Sequence, residues 1–390
     1  MKALVIYNND IFYWNWLQAL WFCRKEFKKK GISIKFRKFN RLKLMIDELA
    51  KLFGVYKKKS VSVSDIKGEI KEQYDIVFMC FHYNDDFFKI SSEEQKELFV
   101  YIKRYCKKLV WLDPSDSTGT CSFQVMPYVD LYLKKQLLKD FSIYQEPLYG
   151  QRIYSDYYNK KYGMVSDKDT TLEFTLLRDE YKKKLGVSWN VGLSNIGFRR
   201  TKRQWRISVL LGMKDYVSKN NIRKLIDRKN CLFFDGAYDE NGALTYQRKL
   251  THELIVNMKR GDCVSPDKRL SREMYLENLQ NTVFCISPFG FGEVCLRDFE
   301  IFFYGGVLIK PDMSHCVTYP DYYRNGETYV AIDWDFLEFK TMFTDADFKM
   351  KEYDKYQTIA DNGRECFEHY SLSYKQGRKL FVDHLIRQIK

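Results

Sequence analysis

The sequence predicts an α/β protein with two doubly wound, Rossmann-like domains whose parallel sheets face each other across a cleft. One observation is that apolar, β-branched runs alternate with amphipathic helical runs in both halves of the chain. This alternation is typical of parallel sheets covered by helices on both faces. The other observation is length, because 390 residues exceed one ordinary core and suit two domains.

The first half begins with a strand over 2–7, an amphipathic helix over 14–31 that ends at a glycine, and a strand over 32–36. The alternation continues with a helix over 41–54, a strand over 74–81, a helix over 91–109 and a strand over 109–113. In such sheets the functional loops follow the carboxyl ends of the strands. We therefore expect functional residues in the loops 8–10, 82–86 and 113–119.

The pattern weakens over 125–163 and resumes at 206–212. The second unit then consists of strands over 228–236, 281–288 and 306–311, with helices over 247–261 and 293–306. We expect an N-terminal domain over 1–180, a C-terminal domain over 181–360, and terminal helices over 361–390 that pack back on the first domain.

Composition limits where the protein works. The N-terminus lacks the pattern of a signal peptide, and the ten cysteines include no C-x-x-C pair, so we expect a cytoplasmic protein with reduced thiols. No apolar run approaches the ~18 residues that span a bilayer, so membrane contact would be peripheral.

The formal net charge of +14 favours anionic partners. Its densest segment, 197–206, contains five basic residues and Trp205. Nucleic acid is the less favoured partner, since no helix-turn-helix, RNA-recognition or zinc-finger pattern accompanies the segment. A solvated face, or a peripheral basic face toward anionic lipid at the inner side of a membrane, is the better interpretation.

One stretch indicates a functional site most clearly: "SPFGFGEVCLRDFEIFFYGGVLIKP", residues 287–311. A strand, a glycine-rich turn, a helix with an Arg-x-x-Glu pair, a double glycine and a second strand follow one another. This order resembles the donor-binding unit of GT-B glycosyltransferases, most closely the exostosin-like and bacterial surface-polysaccharide (O-antigen, capsule) transferases. The resemblance covers roughly residues 230–335 and is only architectural over the N-terminal half.

The residue types suit a nucleotide diphosphate. Gly290 and Gly292 would let the backbone approach the phosphates, and the following helix N-terminus offers free N–H groups. Arg297 and Glu300, three apart, share one helical face. The resemblance implies that Glu300 holds ribose hydroxyls and that a basic residue neutralises the diphosphate; a surface Arg–Glu salt bridge is the alternative.

Other candidates complete the predicted donor site. The resembled retaining enzymes carry two glutamates eight residues apart, whereas Glu293 is offset by one, so it either contacts the sugar or caps the helix. We also expect Ser287 and Lys310 to contact the donor. Arg248 would bind phosphate.

The predicted catalytic residues are Asp235, Asp116 and His82. Asp235 ends a buried strand and would act as nucleophile or electrostatic stabiliser at the anomeric carbon. Asp116, beside Asp113, and His82 follow strands of the first domain, where a base for an acceptor hydroxyl is expected. Plain turn residues and a structural histidine are the alternatives.

No metal site or cofactor is expected. His-x-x-x-His and cysteine clusters are absent from the sequence, and Asp-x-Asp matches such as those at 167–169 and 333–335 are short enough to arise by chance. His315 could contact phosphate. The resemblance implies metal-independent chemistry.

The sequence thus predicts a transferase that moves a sugar from a nucleotide-sugar donor to a glycan or lipid-linked oligosaccharide acceptor, in surface polysaccharide (including lipopolysaccharide) biosynthesis. Two alternatives stay open: a non-catalytic protein that binds an anionic polymer or nucleic acid, and a nucleotide-sugar epimerase of the same fold.

Overall fold

The computed structural model describes residues 1–8, 10–36, 62–165, 175–194, 202–211, 222–238, 242–343 and 352–390. The helix predicted over 41–54 and the Asp-x-Asp match at 167–169 lie outside the described residues, as does the first half, 197–201, of the basic segment 197–206.

The strands, in chain order, are β1 (Lys2–Tyr7), β2 (Ser33–Phe36), β3 (Tyr74–Cys80), β4 (Cys106–Asp113), β5 (Leu131–Lys134), β6 (Gln136–Leu138), β7 (Leu185–Val187), β8 (Asn230–Phe233), β9 (Cys263–Val264), β10 (Thr282–Ile286), β11 (Val307–Pro311), β12 (Cys316–Thr318) and β13 (Val330–Ile332). The α-helices of the described residues are α1 (Ile11–Phe22), α2 (Arg24–Lys29), α3 (Val63–Glu69), α4 (Ser92–Lys103), α5 (Ile153–Tyr162), α6 (Lys202–Leu211), α7 (Tyr246–Asn257), α8 (Arg272–Asn281), α9 (Leu296–Tyr304), α10 (Leu337–Met342), α11 (Tyr353–Tyr370) and α12 (Lys375–Ile389).

The first sheet has the order β2-β1-β3-β4-β5-β7, with every neighbouring pair parallel. Side chains of a strand alternate between the faces, and both faces of this sheet are apolar. Val5 and Tyr7 of β1 pack into one buried cluster, and Leu4 and Ile6 pack into another. Helices on both sides therefore bury the central strands, whereas the edge strands β2 and β7 stay partly exposed.

The second sheet has the order β13-β11-β10-β8-β9 and is also parallel throughout. Phe284 and Ile286 of β10 face one core, whereas Cys285 faces the other. The predicted architecture of two doubly wound, Rossmann-like α/β domains is confirmed.

Local boundaries differ from the prediction in three places. The helix predicted over 14–31 is interrupted at Cys23, which ends α1 and precedes α2. The helix predicted over 91–109 ends at Lys103, because the chain turns there into β4. The apolar run 206–212 falls in helix α6, which packs against α1 through ring contacts such as Phe12 with Trp205.

Several segments connect the two sheets. Strand β7 belongs to the first sheet although it follows residue 180. Strands β6 and β12, from opposite halves of the chain, form a separate antiparallel ribbon. Helix α11 packs on β11 of the second sheet, while Phe381 and Leu385 of α12 belong to the core of the first.

All ten cysteines are free thiols. Among the described helices, none combines the length and apolar character that crossing a membrane requires.

Candidate active site between the two sheets

A cavity of about 510 Å³ lies where loops that follow strands of both sheets meet. Its lining from the first half of the chain comprises Asp10, Phe12, Tyr13, Asn15, Trp16, His82, Pro114, Asp116, Lys135, Val191 and Ser194. Its lining from the second half comprises Trp205, Arg248, Gly290, Phe291, Gly292, Val294, Cys295 and Leu296. Among the predicted site residues, it therefore brings together His82, Asp116, Arg248, Gly290 and Gly292.

Arg248 lines the cavity and lies within electrostatic reach of two further arginines, and we call Arg248, Arg269 and Arg297 the arginine cluster. Arg248 donates from Nε to the Phe289 carbonyl at 3.1 Å and from Nη1 to the Ala237 carbonyl at 3.1 Å. Arg297 donates from Nη2 to the Asp235 carbonyl. Main-chain carbonyls of the loops after β8 and β10 thus hold two guanidinium groups in place.

No carboxylate of the described residues forms an ion pair with any member of the arginine cluster. Burial lowers the pKa of Arg248, and repulsion from Arg297 and Arg269 lowers it further. Like charges held close together raise the free energy of the folded protein unless a bound anion neutralises them. The cluster is therefore suited to a multiply charged anion such as a diphosphate.

The two glycines of the turn lie in close contacts that leave no room for a side chain. A Cβ at Gly290 would collide with the Arg248 guanidinium, and a Cβ at Gly292 would collide with the Asp116 carbonyl. The absence of a side chain at Gly290 thus makes room for the Arg248 guanidinium. Gly292 allows the two domains to touch.

Glu293 does not cap helix α9, because Cys295 and Asp298 form the hydrogen bonds at its start. Its carboxylate is fully buried and accepts from the Thr118 main-chain N–H at 2.9 Å and from Thr118 Oγ1 at 2.6 Å. Glu293 therefore links the domains.

Glu300 and Arg297 are not ion-paired with each other. Arg272 of α8 forms an ion pair with Glu300 Oε1 at 2.6 Å, and the Tyr275 hydroxyl donates to Oε2 at 2.7 Å. The surface salt bridge that we considered between Arg297 and Glu300 is wrong for this reason. The assignment of Glu300 to ribose binding stays a prediction.

Lys310 and Ser287 are completely buried and do not line the cavity. Lys310 pairs with Asp298 at 3.2 Å and donates to the Ser287 carbonyl at 3.1 Å. The Tyr323 hydroxyl completes the group by donating to Asp298 at 2.6 Å. Lys310 and Ser287, which we expected to contact the donor, thus bond each other and hold the end of β10 in place.

Asp235 is buried at the end of β8 and does not line the cavity. The loop that it begins contacts Arg297, which donates to the Asp235 carbonyl and would lie 3.2 Å from a Cβ at Gly236. Asp235 thus lies beside the arginine cluster, whereas Asp116 and His82 lie on the opposite domain.

Asp116 extends into the cavity with 57% of its side chain exposed, and Lys135 pairs with it at 2.9 Å. Desolvation by the cavity walls raises the pKa of this carboxyl, but the Lys135 ammonium outweighs it, so that the pKa lies below the usual value. The group is therefore ionised at neutral pH and able to accept a proton or a hydrogen bond.

His82 lies next to it in the lining. Burial lowers the pKa of its imidazole despite the neighbouring Asp113 and Asp116 carboxylates, so the ring is neutral at physiological pH. Nδ1 accepts from the Asn84 main-chain N–H at 3.3 Å, which leaves the proton on Nε2. In this tautomer His82 is a hydrogen-bond donor rather than a base.

Asp113, which we considered as a general base, has a structural role. Its side chain is fully buried and accepts from the Tyr132 hydroxyl and the Ser115 main-chain N–H, with Lys134 Nζ at 3.4 Å. Burial acts to raise its pKa, but Lys134 and the hydrogen bonds lower it below the usual value. This carboxylate does not line the cavity.

Aromatic rings form a part of the site that the sequence analysis missed. Phe12 and Phe291 both line the cavity and are 59% and 66% exposed, which is unusual for phenylalanine. Trp16 and Trp205 complete these walls. In the sequence, the signal for these aromatic walls was the aromatic-rich run 11–16, which follows the first strand.

The remaining metal candidates behave differently. Asp333 accepts from main-chain N–H groups at the start of α10, and Asp335 pairs with Lys161, so this Asp-x-Asp match is structural. Glu293, His315 and Cys316, by contrast, place one potential ligand atom each within 4.8 Å of one another.

No family model matches this chain, and no curated protein matches it in sequence. Solved structures with a similar arrangement include a putative UDP-N-acetylglucosamine 2-epimerase from Listeria monocytogenes, with 11% identity over 100% of this chain and 95% of that one, at a TM-score of 0.42. An α-glucosyltransferase in complex with UDP and a 13-mer DNA is similar at 9% identity, 100% and 99% coverage and a TM-score of 0.46. Sucrose-phosphate synthase from Thermosynechococcus elongatus is similar at 13% identity, 100% and 98% coverage and a TM-score of 0.40. These similarities are weak, so the fold assignment depends on the chain's own sheet topology.

Proposed function

We propose that this protein is a glycosyltransferase that moves a sugar from a nucleotide-sugar donor to a glycan or lipid-linked oligosaccharide acceptor. The observation that carries the proposal is the arginine cluster, whose three cations have no carboxylate partner among the described residues and whose Arg248 lines one side of a cavity. Asp116 and His82 lie on the other side of it.

The donor diphosphate binds at the arginine cluster. Arg248 contributes the guanidinium next to Gly290, and Arg297 lies in the first turn of α9, whose N-terminal end attracts anions. As the glycosidic bond to the donor breaks, charge accumulates on the departing diphosphate, and cations already in place stabilise it. These residues perform this role without a divalent cation.

The acceptor binds against the first domain. Asp116, kept ionised by Lys135, accepts the proton of the attacking hydroxyl, while His82 Nε2–H donates to a neighbouring sugar oxygen. Exposed Phe12 and Phe291, with Trp16, offer the apolar faces on which sugar rings pack. An epimerase, which acts on the donor alone, has no need of this second subsite.

We also propose that the acceptor belongs to surface polysaccharide biosynthesis at an anionic membrane face. The net charge of +14 supports this location, since basic surfaces gain about 1 kcal/mol per Lys or Arg near anionic lipid. Vesicle flotation in the presence and absence of anionic lipid tests this part separately.

Thermal-shift measurements with UDP, GDP, CMP and dTDP test the core of the proposal. A nucleotide at 100 times its dissociation constant adds about 2.7 kcal/mol of stability, which gives a clear shift. Sugar transfer is then measured with the matching donor. Failure of every nucleotide to bind contradicts the proposal, and salt-sensitive binding of DNA or RNA instead would favour the polyanion-binding alternative. Donor epimerisation without an acceptor would favour the epimerase.

A further inference from the structure

His315 is an unusual histidine in this structure. Both ring nitrogens are shielded from water, and neither makes a hydrogen bond to a described residue. The Asp312 main chain lies close enough to act on the pKa of the ring, but it does not reach a nitrogen in hydrogen-bond geometry. A buried polar group without a partner destabilises the folded protein, so an ion or a water is expected at this position.

Two other potential ligands surround this imidazole. One atom each of His315, Cys316 and the Glu293 carboxylate lie within 4.8 Å of one another. Zinc bonds of about 2.0–2.3 Å at tetrahedral angles separate ligand atoms by roughly 3.3–3.7 Å. Small movements of the three side chains are enough to bring their ligand atoms to these separations around one ion.

The existing hydrogen bonds are compatible with this role. Glu293 accepts one bond from Thr118 on each carboxylate oxygen, and each oxygen has a second lone pair. Cys316 is a free thiol.

We propose that Glu293, His315 and Cys316 bind a zinc ion, with water in the fourth position. Imidazole, thiolate and carboxylate are the ligand types that zinc takes in proteins, whereas magnesium and calcium prefer sites made of oxygen alone. None of the three residues lines the cavity, so the ion is separate from the proposed sugar-transfer chemistry.

The position of the site indicates what the ion does. The His315 carbonyl accepts from the Lys139 main-chain N–H at 2.8 Å, and Cys316 begins β12 of the ribbon shared with β6. Glu293 contacts Thr118 of the first domain through its side chain. The zinc ion thus ties the loop before α9 to the ribbon that connects the two domains, and it stabilises the domain interface.

Metal content tests the proposal directly. The full-length protein and its variants are loaded with zinc, freed of excess metal by gel filtration and measured by mass spectrometry of the element. We expect one zinc per chain in the wild type and in the control Cys106→Ser, whose cysteine is a partly buried thiol of the first sheet. Cys316→Ser and His315→Ala should each lose the zinc and its stabilising effect on the melting temperature.

Cobalt provides a second measurement that needs no substitution. The wild type with bound cobalt should show a thiolate-to-cobalt charge-transfer absorption, which a site without cysteine cannot produce. The proposal is wrong if the wild type retains no zinc, if Cys316→Ser retains as much as the wild type, or if the cobalt protein lacks this absorption. Because the cobalt result depends on the wild type alone, a variant that fails to fold does not prevent the test.

Discussion

Gly292 of the second domain lies directly against the main chain of Asp116 in the first, so closely that even a methyl group at position 292 would overlap the Asp116 carbonyl. The Gln136 side-chain amide donates to the same carbonyl. The proposed base is therefore positioned by a contact between the domains. Closure of the cleft and the position of Asp116 depend on each other.

Gly292→Ala should weaken this contact. Forcing a methyl group into a packed position costs about 1–3 kcal/mol, and here it also displaces Asp116. We expect a lower melting temperature together with a loss of transfer activity. Gly261→Ala is the matched control, since a Cβ there meets no atom within 4 Å. Equal melting temperatures and activities for the two variants would contradict the contact.

Arg297→Ala and Arg248→Ala should each weaken binding of a nucleoside diphosphate by about 1.5–3 kcal/mol, the range for a hydrogen bond to a charged group. Calorimetric titration measures the affinity, with the exposed Arg104→Ala as control. The two cations repel each other in the absence of ligand. Removing one should therefore also lower the electrostatic free energy of the other in the ligand-free protein. Affinities equal to that of Arg104→Ala would exclude the arginine cluster as the phosphate site.

Substitution of the two carboxylates by amides should separate their roles. Asp116→Asn should lower transfer a hundredfold or more, the scale of a lost general base, while leaving acceptor-independent donor hydrolysis largely unchanged. Asp235→Asn should preserve nucleotide affinity, because Arg297 contacts the main-chain carbonyl of Asp235 rather than its side chain.

The behaviour of Asp235→Asn then distinguishes two mechanisms. Near-normal transfer by this variant indicates a single inverting displacement with the base in the first domain. An inactive variant, together with a sugar adduct on the Asp235 peptide of the wild type, indicates a double displacement with retention. Normal turnover of both amide variants would mean that neither carboxylate is catalytic.

His384 should make the protein less stable in mild acid. Its Nε2 lies 2.9 Å from the Val187 carbonyl and 2.8 Å from that of Ser188, and burial lowers the pKa of the ring. Below the unfolded pKa of about 6.5 the unfolded chain takes up a proton that the folded chain does not. The free energy of unfolding therefore has its full value above this pH and falls as the pH drops below it.

His384→Gln keeps a donor near both carbonyls but removes the titrating group. We expect its melting temperature to fall less steeply than that of the wild type between pH 7.5 and 5.5. His369→Gln, at an exposed position, is the control and should follow the wild type. Identical slopes for all three proteins would exclude His384 as a source of acid sensitivity.

The sequence by itself determined the two parallel sheets and the region of the site. Strand and helix periodicity is local, because it depends on which face of each element is apolar, and runs such as 74–81 and 281–288 became buried strands as predicted. The turn 287–292 was likewise recognisable from its glycines and from the helix that follows it.

Only the tertiary structure decided what each polar side chain contacts. Glu293 bonds Thr118 of the other domain, Lys310 pairs with Asp298 in the core, and His315 meets the Glu293 carboxylate. Burial, ion pairing and ligand geometry depend on distances between residues that are far apart in the chain. Local patterns contain no such distances, and therefore a lysine beside a glycine-rich turn could equally contact a phosphate or a buried carboxylate until the chain was folded.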